Sequence, residues 1–444
     1  MLNETLAQRW LGRVVAVRPG EMRTLLWSFA CFFCLLAGYY VLRPLRDEMG
    51  IAGGVRNLQW LFTATFVVML AVVPVFGAVV ARLPRRRFIP LVYHFFVANI
   101  AIFWLLLTFD AGKVPVARVF FVWISVFNLF AVSVFWSFMV DLFAHEQGKR
   151  LFGFIAAGGS AGALLGPALT VALAAPLGPV NLLIVAALLL ELALLCARRL
   201  ESVTPQVAGV PSAETAQPAP GPPAESAALG GGWLAGIAML LRSSYLAGIA
   251  LWVSLLSLAG TFLYFQQAGI VAAASDDPAV RTSIFAAIDL AVGILTIIVQ
   301  FFATGRLMAR FGVGPAAAAL PLVFALGFLT LAFAPMLFVV IAFQAIQRTA
   351  NFAISNPARE VLFTVLQREE KYKAKNVIDI VVFRGADALS GWLFAVLRGA
   401  GLELSTISLA TVPVAGVWLL LALALGRSQE QRSFAENTKG EKRS

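Results

Sequence analysis

Charge is what this 444-residue chain has least of: Asp, Glu, Lys and Arg together make up 13% of it, against ~25% in soluble domains. A soluble globule of this length needs far more polar surface, so that class is excluded. Histidine is nearly absent, with only His94 and His145, which leaves no metal cluster. The three cysteines, Cys31 and Cys34 in the first apolar block and Cys196 near the end of the sixth, read as small apolar residues of membrane helices rather than as a disulfide framework or zinc site. Also missing are the phosphate-cradling loops G-x-x-x-x-G-K-S/T and G-x-G-x-x-G between strand and helix. With no hydrolytic or redox machinery in sight, no enzyme activity and no cofactor are expected.

What is there is apolar: 60% of the residues are hydrophobic and the mean hydropathy is +0.86. The apolar residues come in blocks of about twenty, long enough to cross a ~30 Å hydrocarbon core at 1.5 Å per residue. Only helices satisfy their own backbone groups in lipid, so each block is expected to be helical. Blocks fall near 24–46, 58–81, 88–109, 116–141, 150–174, 178–197, 245–269, 283–305, 315–333, 336–356, 376–397 and 405–426. The expected fold class is therefore an all-α membrane protein of twelve transmembrane helices. The Arg-rich start followed by an apolar run has the outline of a signal peptide without a convincing cleavage site, and reads as a retained first span.

The net charge of +11 does not point to nucleic acid, because the Lys and Arg residues lie between apolar blocks rather than along one amphipathic face. Counted on alternate sides of the spans, 25 of the 34 fall on one side and seven on the other, with Arg348 and Arg384 inside spans. The positive-inside rule then places both termini in the cytoplasm. Glu201 to Gly232, rich in Pro, Ala and Gly, has too little hydrophobicity to fold and reads as a linker. The expected organisation is a six-helix half at 1–200, a flexible cytoplasmic linker at 201–232, a second six-helix half at 233–428 and a polar tail at 429–444. The basic turns 77–87 and 305–312 echo each other in the two halves, as do the basic runs opening spans five and eleven. This is the major-facilitator plan, with solute bound near midplane.

Ionisable residues where lipid makes them expensive are the candidate site. In span ten, Gln344, Arg348, Asn351 and Ser355 recur at spacings of 4, 3 and 4 and are expected on one helix face. Span seven offers Thr261, Tyr264 and Gln267, span one Tyr39, Tyr40, Arg43, Arg46 and Asp47, span eight Asp289, and span eleven Asp379, Arg384 and Asp387. One reading is that these are internal pairs, such as Asp289 with Arg348 or Arg384 with Asp387, that only hold helices together. The other is that five spans converge on a solute or coupling ion. Gly158, Gly162 and Gly166 in span five form a stripe for close helix approach, and Pro74, Pro321 and Pro413 are candidate kinks.

Three stretches resemble the ATP/ADP translocase family. Leu42-Arg43-Pro44-Leu45-Arg46-Asp47 is similar to its L-R-x-x-K-D segment. Phe135-Trp136 followed by Lys149-Arg150-Leu151-Phe152-Gly153 is similar to its F-W…A-K-R stretch. Pro357, Arg359-Glu360, Lys371, Lys373, Lys375, Asp379 and Arg384 follow its P-x-K-E…K-x-K-x-K…D…R. The resemblance implies ATP/ADP exchange, with Arg43, Arg46, Asp47, Arg359, Glu360, Lys373, Asp379 and Arg384 at matched positions. Arg forks suit phosphate oxygens. The chain departs from the pattern at Gln59 and Asp387, where the family carries lysines, at Asn356 in place of an acidic residue and at Val140 in place of a polar one, which opens the site to another anion.

The sequence therefore leads to a monomeric secondary transporter in the cell's inner membrane, an alternating-access antiporter for an organic anion, nucleotides first. Arg43, Arg46, Tyr264, Gln267, Gln344, Arg348, Asn351 and Arg384 are the expected substrate-binding residues. Asp47, Asp289, Arg359, Glu360, Lys373, Asp379 and Asp387 are the expected coupling or gating residues. The competing expectations are a proton-coupled transporter of another metabolite or amphiphile, with Asp289 titrating, and a non-transporting membrane sensor of the same fold.

Overall fold

A computed structural model describes residues 21–82, 85–143, 145–203, 239–240, 242–366 and 368–441. From residue 204 onward the expected linker lies outside the described residues, as do Arg9, Arg13, Arg18 and residues 442–444. Among the described residues the secondary structure is helical throughout, with no strand.

Twelve long helices carry the chain: α1 Met22–Ala52, α2 Leu58–Arg82, α3 Arg85–Thr108, α4 Lys113–Leu142, α5 His145–Leu177 and α6 Leu182–Val203. After them come α7 Ser244–Ala274, α8 Pro278–Phe311, α9 Val313–Phe333 and α10 Leu337–Leu362. Then α11 runs from Arg368 through Gly399 and α12 is Leu404–Glu441. Eleven are long and apolar enough to span a membrane. The remaining one, α6, has 22 residues, or ~33 Å at 1.5 Å rise, but carries Glu191, Arg198 and Arg199. The chain is thus a multi-pass α-helical membrane protein with the twelve expected blocks as its helices.

Several helices outrun their apolar blocks. α12 continues past residue 426 through Arg427, Glu430 and Arg432 to Glu441, since solvated Glu, Gln and Arg are good helix formers once a helix is nucleated. The first turns of α11 include Lys371, Lys373 and Lys375. Pro74, Pro321 and Pro413 all lie within α-helices that continue past them. α8 passes to α9 through one residue, Gly312, whose φ of 79° an L side chain rarely adopts.

Three helices depart from the α register. α8 widens to a π-type turn at Gln300–Thr304, α10 at Asn351–Ser355 and α11 at Ile378–Val382. Each wide turn adds a residue to the ladder, so side chains after it rotate relative to those before.

The described residues form two compact units. The first draws on Met1–Met49, Ala71–Ala228 and Pro278–Ala287, the second on Gly50–Leu70, Leu229–Asp277 and Ile288–Ser444. In the first unit α5 lies against α1 along its glycine stripe. A Cβ added at Gly158 would stand 2.6 Å from the Phe29 carbonyl oxygen and one at Gly166 2.6 Å from that of Ala37, with Gly162 facing the Phe33 carbonyl closer still. Without hydrophobic drive between helices in lipid, such close backbone approach is where van der Waals attraction accumulates. Phe32 stacks on Phe135, centroids 4.3 Å apart. At one end of α1, Glu21 binds Arg150 at 2.9 Å; at the other, buried Glu48 takes Arg281 through two bonds of 2.7 Å.

In the second unit α9 lies against α12 where Gly314 meets Gly426, a Cβ on the former standing 3.4 Å from the latter's Cα. Trp252 of α7 and Trp418 of α12 pack edge to face at 5.8 Å. Gly162→Leu is expected to destabilise the protein by about 1–3 kcal/mol through overpacking. Gly153→Leu, where a Cβ meets nothing within 4 Å, is expected to leave thermal unfolding in detergent unchanged.

Candidate functional site

The polar residues of the second unit gather on α7, α8, α10 and α11. Asp289 of α8 is buried, 3% exposed, and accepts a bond from Arg348 Nη1 of α10 at 2.5 Å. The buried Gln344 amide donates to Gln267 of α7 and accepts from Gln347 at 2.8 Å. Where α8 and α10 widen, the Thr304 hydroxyl donates to the Ala353 carbonyl at 2.7 Å. A π-type turn frees a carbonyl from the regular ladder, and here a neighbouring hydroxyl takes it up.

A second cluster surrounds Asp387 of α11. Its Oδ1 accepts from the Ser257 hydroxyl at 2.6 Å and faces Thr261 Oγ1 at 3.5 Å, both on α7. Its Oδ2 faces Arg384 Nη1 at 3.3 Å. A third set joins the end of α10 to the start of α11. Arg359 Nη1 lies 3.2 Å from Asp379, and Lys375 Nζ lies 2.7 Å from Glu360 Oε2.

These distances place the residues expected from sequence. Tyr264, Gln267, Asp289, Gln344, Arg348, Asn351, Arg359, Glu360, Lys373, Asp379, Arg384 and Asp387 belong to the second unit, whereas Arg43, Arg46 and Asp47 belong to the first. There Arg46 stacks 4.4 Å over the Phe121 ring and lies 3.9 Å from Asp47, and Arg43 sits 5.7 Å from the Tyr40 ring. Tyr264 packs on Phe62 at 5.5 Å. Asp289 with Arg348 and Arg384 with Asp387, the pairs read from the sequence as internal, are in contact.

Gln344, Arg348, Asn351 and Ser355 all lie along α10, whose ladder widens to a π-type turn over Asn351–Ser355. Three participants went unrecognised in the sequence: Ser257, Gln347 and Thr304. Ser257 was within reach, one turn before Thr261 on the same face of α7; for the others no local signal separates them from ordinary polar residues.

Two further features define the site. Arg348 Nε and Asn351 Oδ1, three residues apart on α10, are buried without a hydrogen-bond partner in the structure, as is Ser355 Oγ. Buried polar atoms of this kind are few in folded proteins.

With twelve helices and a polar cluster within them in view, the fold is similar to that of several solved membrane transporters. The chain is similar to a POT family transporter solved in complex with a thioalcohol-conjugated peptide (TM-score 0.63, 13% identity, 92% of this chain and 96% of that one). It is also similar to a bacterial homologue of the iron transporter ferroportin (TM-score 0.63, 13% identity, 91% and 98%). The nucleoside transporter NupG is a further likeness (TM-score 0.56, 13% identity, 93% and 99%). No protein-family model matches the sequence, and no curated protein matches it.

Asp289→Ala leaves the Arg348 cation buried without its carboxylate and is expected to cost about 3–5 kcal/mol. The double variant Asp289→Ala/Arg348→Met should recover much of that loss, and unfolding in detergent across the four-member cycle measures the coupling.

Proposed function

We propose that this chain is a secondary active transporter of a small charged organic solute, working by alternating access as a monomer in a cell's inner membrane with both termini cytoplasmic. The observation that carries this reading is the Asp289–Arg348 pair, held inside membrane-spanning helices beside polar groups without partners. A charge at that depth is costly, and such residues are characteristic of solute and ion pathways. Gln267, Gln344, Asn351 and Tyr264 would line the same face, and Asp289 is the candidate coupling carboxylate. Asp387, with Arg384 on its own helix and the α7 hydroxyls, is placed to tie α7 to α11. The likeness to transporters of differing solutes agrees with the transporter class and, at 13% identity, leaves the solute open.

Nucleotide exchange is the finer reading, favoured by the three ordered stretches that resemble the ATP/ADP translocases. Two observations weigh against it. Gln59 and Asp387 stand where that family carries lysines, and in the longest stretch Arg359 is bonded to Asp379 and Lys375 to Glu360, so these cations already have carboxylates. Antiport remains open whichever solute is carried.

In proteoliposomes, gradient-driven accumulation of the solute is expected to fall at least about tenfold in Arg348→Gln, the loss of one charge-assisted bond. Labelled ATP exchanging against internal ADP, and doing so through Arg348, would establish the nucleotide reading; protein that accumulates another solute and ignores ATP would end it. A phosphatase reporter active only outside the cytoplasm is expected to be silent when fused after Lys439 and active when inserted after Ala111.

A further inference from the structure

Three guanidinium groups on α10 and α11 of the second unit each have a carboxylate beside them: Arg348 with Asp289, Arg359 with Asp379, and Arg384 with Asp387. A polyanion arriving at any one of these guanidinium groups meets a carboxylate beside it, and repulsion offsets much of the attraction. A ligand bearing one anion and one cation meets a different situation. It can exchange partners with an ion pair, its anion taking the guanidinium and its cation the carboxylate, without changing the local charge.

The hydrogen-bonding groups around Arg348 point the same way. Its Nη1 donates to Asp289 while its Nε–H, a donor, has no acceptor; one turn on, Asn351 Oδ1, an acceptor, has no donor. Residues three apart share a helix face, so that face offers an anionic oxygen one site and an N–H another, on either side of a balanced pair. A ligand with only an oxyanion satisfies the first and leaves both Asn351 and the displaced Asp289 uncompensated, a buried carboxylate being the costlier of the two.

We infer that the solute is a small zwitterion, with one singly charged oxyanion for Arg348 and one ammonium for Asp289 and Asn351. The Asp289–Arg348 pair opens to admit it and closes when it leaves. This deepens the transport reading above and rests on it only for the steps after binding.

Thermal unfolding of the purified full-length protein in detergent tests it with alanine, γ-aminobutyrate and dialanine, together with N-acetyl-dialanine (anion only), dialanine amide (cation only) and ADP. Specific binding raises the unfolding temperature by mass action. At least one zwitterion is expected to stabilise the protein and the single-charge forms and ADP are not. Asp289→Asn is expected to weaken the zwitterion roughly tenfold to a hundredfold and to admit N-acetyl-dialanine, while Asp289→Glu restores the original order. Should Asp289→Asn lose its cooperative transition, Asn351→Leu replaces it, with weaker zwitterion binding the expected result. Stabilisation by ADP or N-acetyl-dialanine equal to that by the zwitterions, or no shift with any of the three zwitterions, overturns the inference. Counterflow of the same probes in proteoliposomes separates it from the reading beneath it. A zwitterion that binds but shows no counterflow sinks transport and leaves the ligand class, whereas counterflow of an anion with no zwitterion response does the reverse.

Discussion

A guanidinium inside hydrocarbon persists only where an acceptor of its charge stands beside it, and the second unit is arranged round that requirement. Arg348 of α10 reaches Asp289 of α8, and Arg359 of α10 reaches Asp379 of α11. Asp387 of α11 faces Arg384 and takes the hydroxyls of α7. The Asp289–Arg348 and Arg359–Asp379 pairs, and the hydroxyl bonds of Asp387, tie together helices that lipid alone would not, since the tails are as apolar as the side chains they would exclude. Such pairs are weak contributors to stability when intact and expensive when broken.

The two units are held by different means. In the first, α1 and α5 close up along Gly158, Gly162 and Gly166 with backbone nearly touching backbone, and aromatic rings fill the space around Phe32, Phe135 and Trp136. Its ion pairs sit near the ends of α1, at half-buried Glu21 and buried Glu48. In the second, glycine contact is confined to places such as Gly314 with Gly426, while the wide turns of α8, α10 and α11 place polar groups within the spans. Wide turns cost regular hydrogen bonds and recur at functional sites, and here two of them are joined by the Thr304 hydroxyl at the Ala353 carbonyl.

The pairing also gives the longest translocase-like stretch a physical meaning of its own. Arg359, Glu360, Lys375 and Asp379 bond one another across the turn from α10 to α11, so a spacing of basic and acidic residues that reads as a phosphate site serves to dock the start of α11 on the end of α10. The likeness to solved transporters over more than nine-tenths of the chain concerns the fold.

Much of the architecture was legible because membrane insertion is a local rule. A block of about twenty apolar residues has one stable solution in a ~30 Å slab, and the helices lie where those blocks do, α10 and α11 included. Asp289, Gln344, Arg348, Arg384 and Asp387 were legible for the same reason, each being an ionisable or amide group inside an apolar block, whereas Arg359, Glu360 and Lys373 lie between blocks and were picked out by the family resemblance. What only the tertiary structure decided is which of them meet. Arg348 and Asp289 lie 59 residues apart and Ser257 and Asp387 130 apart, and no periodicity carries a relation over that distance. The wide turn Asn351–Ser355 was equally hidden, because no local residue pattern marks it. Sequence alone determined that this chain is a multi-pass membrane protein built of twelve helical blocks with charge within them; the packing of those helices decided that Arg348, Arg359 and Arg384 each stand beside a carboxylate.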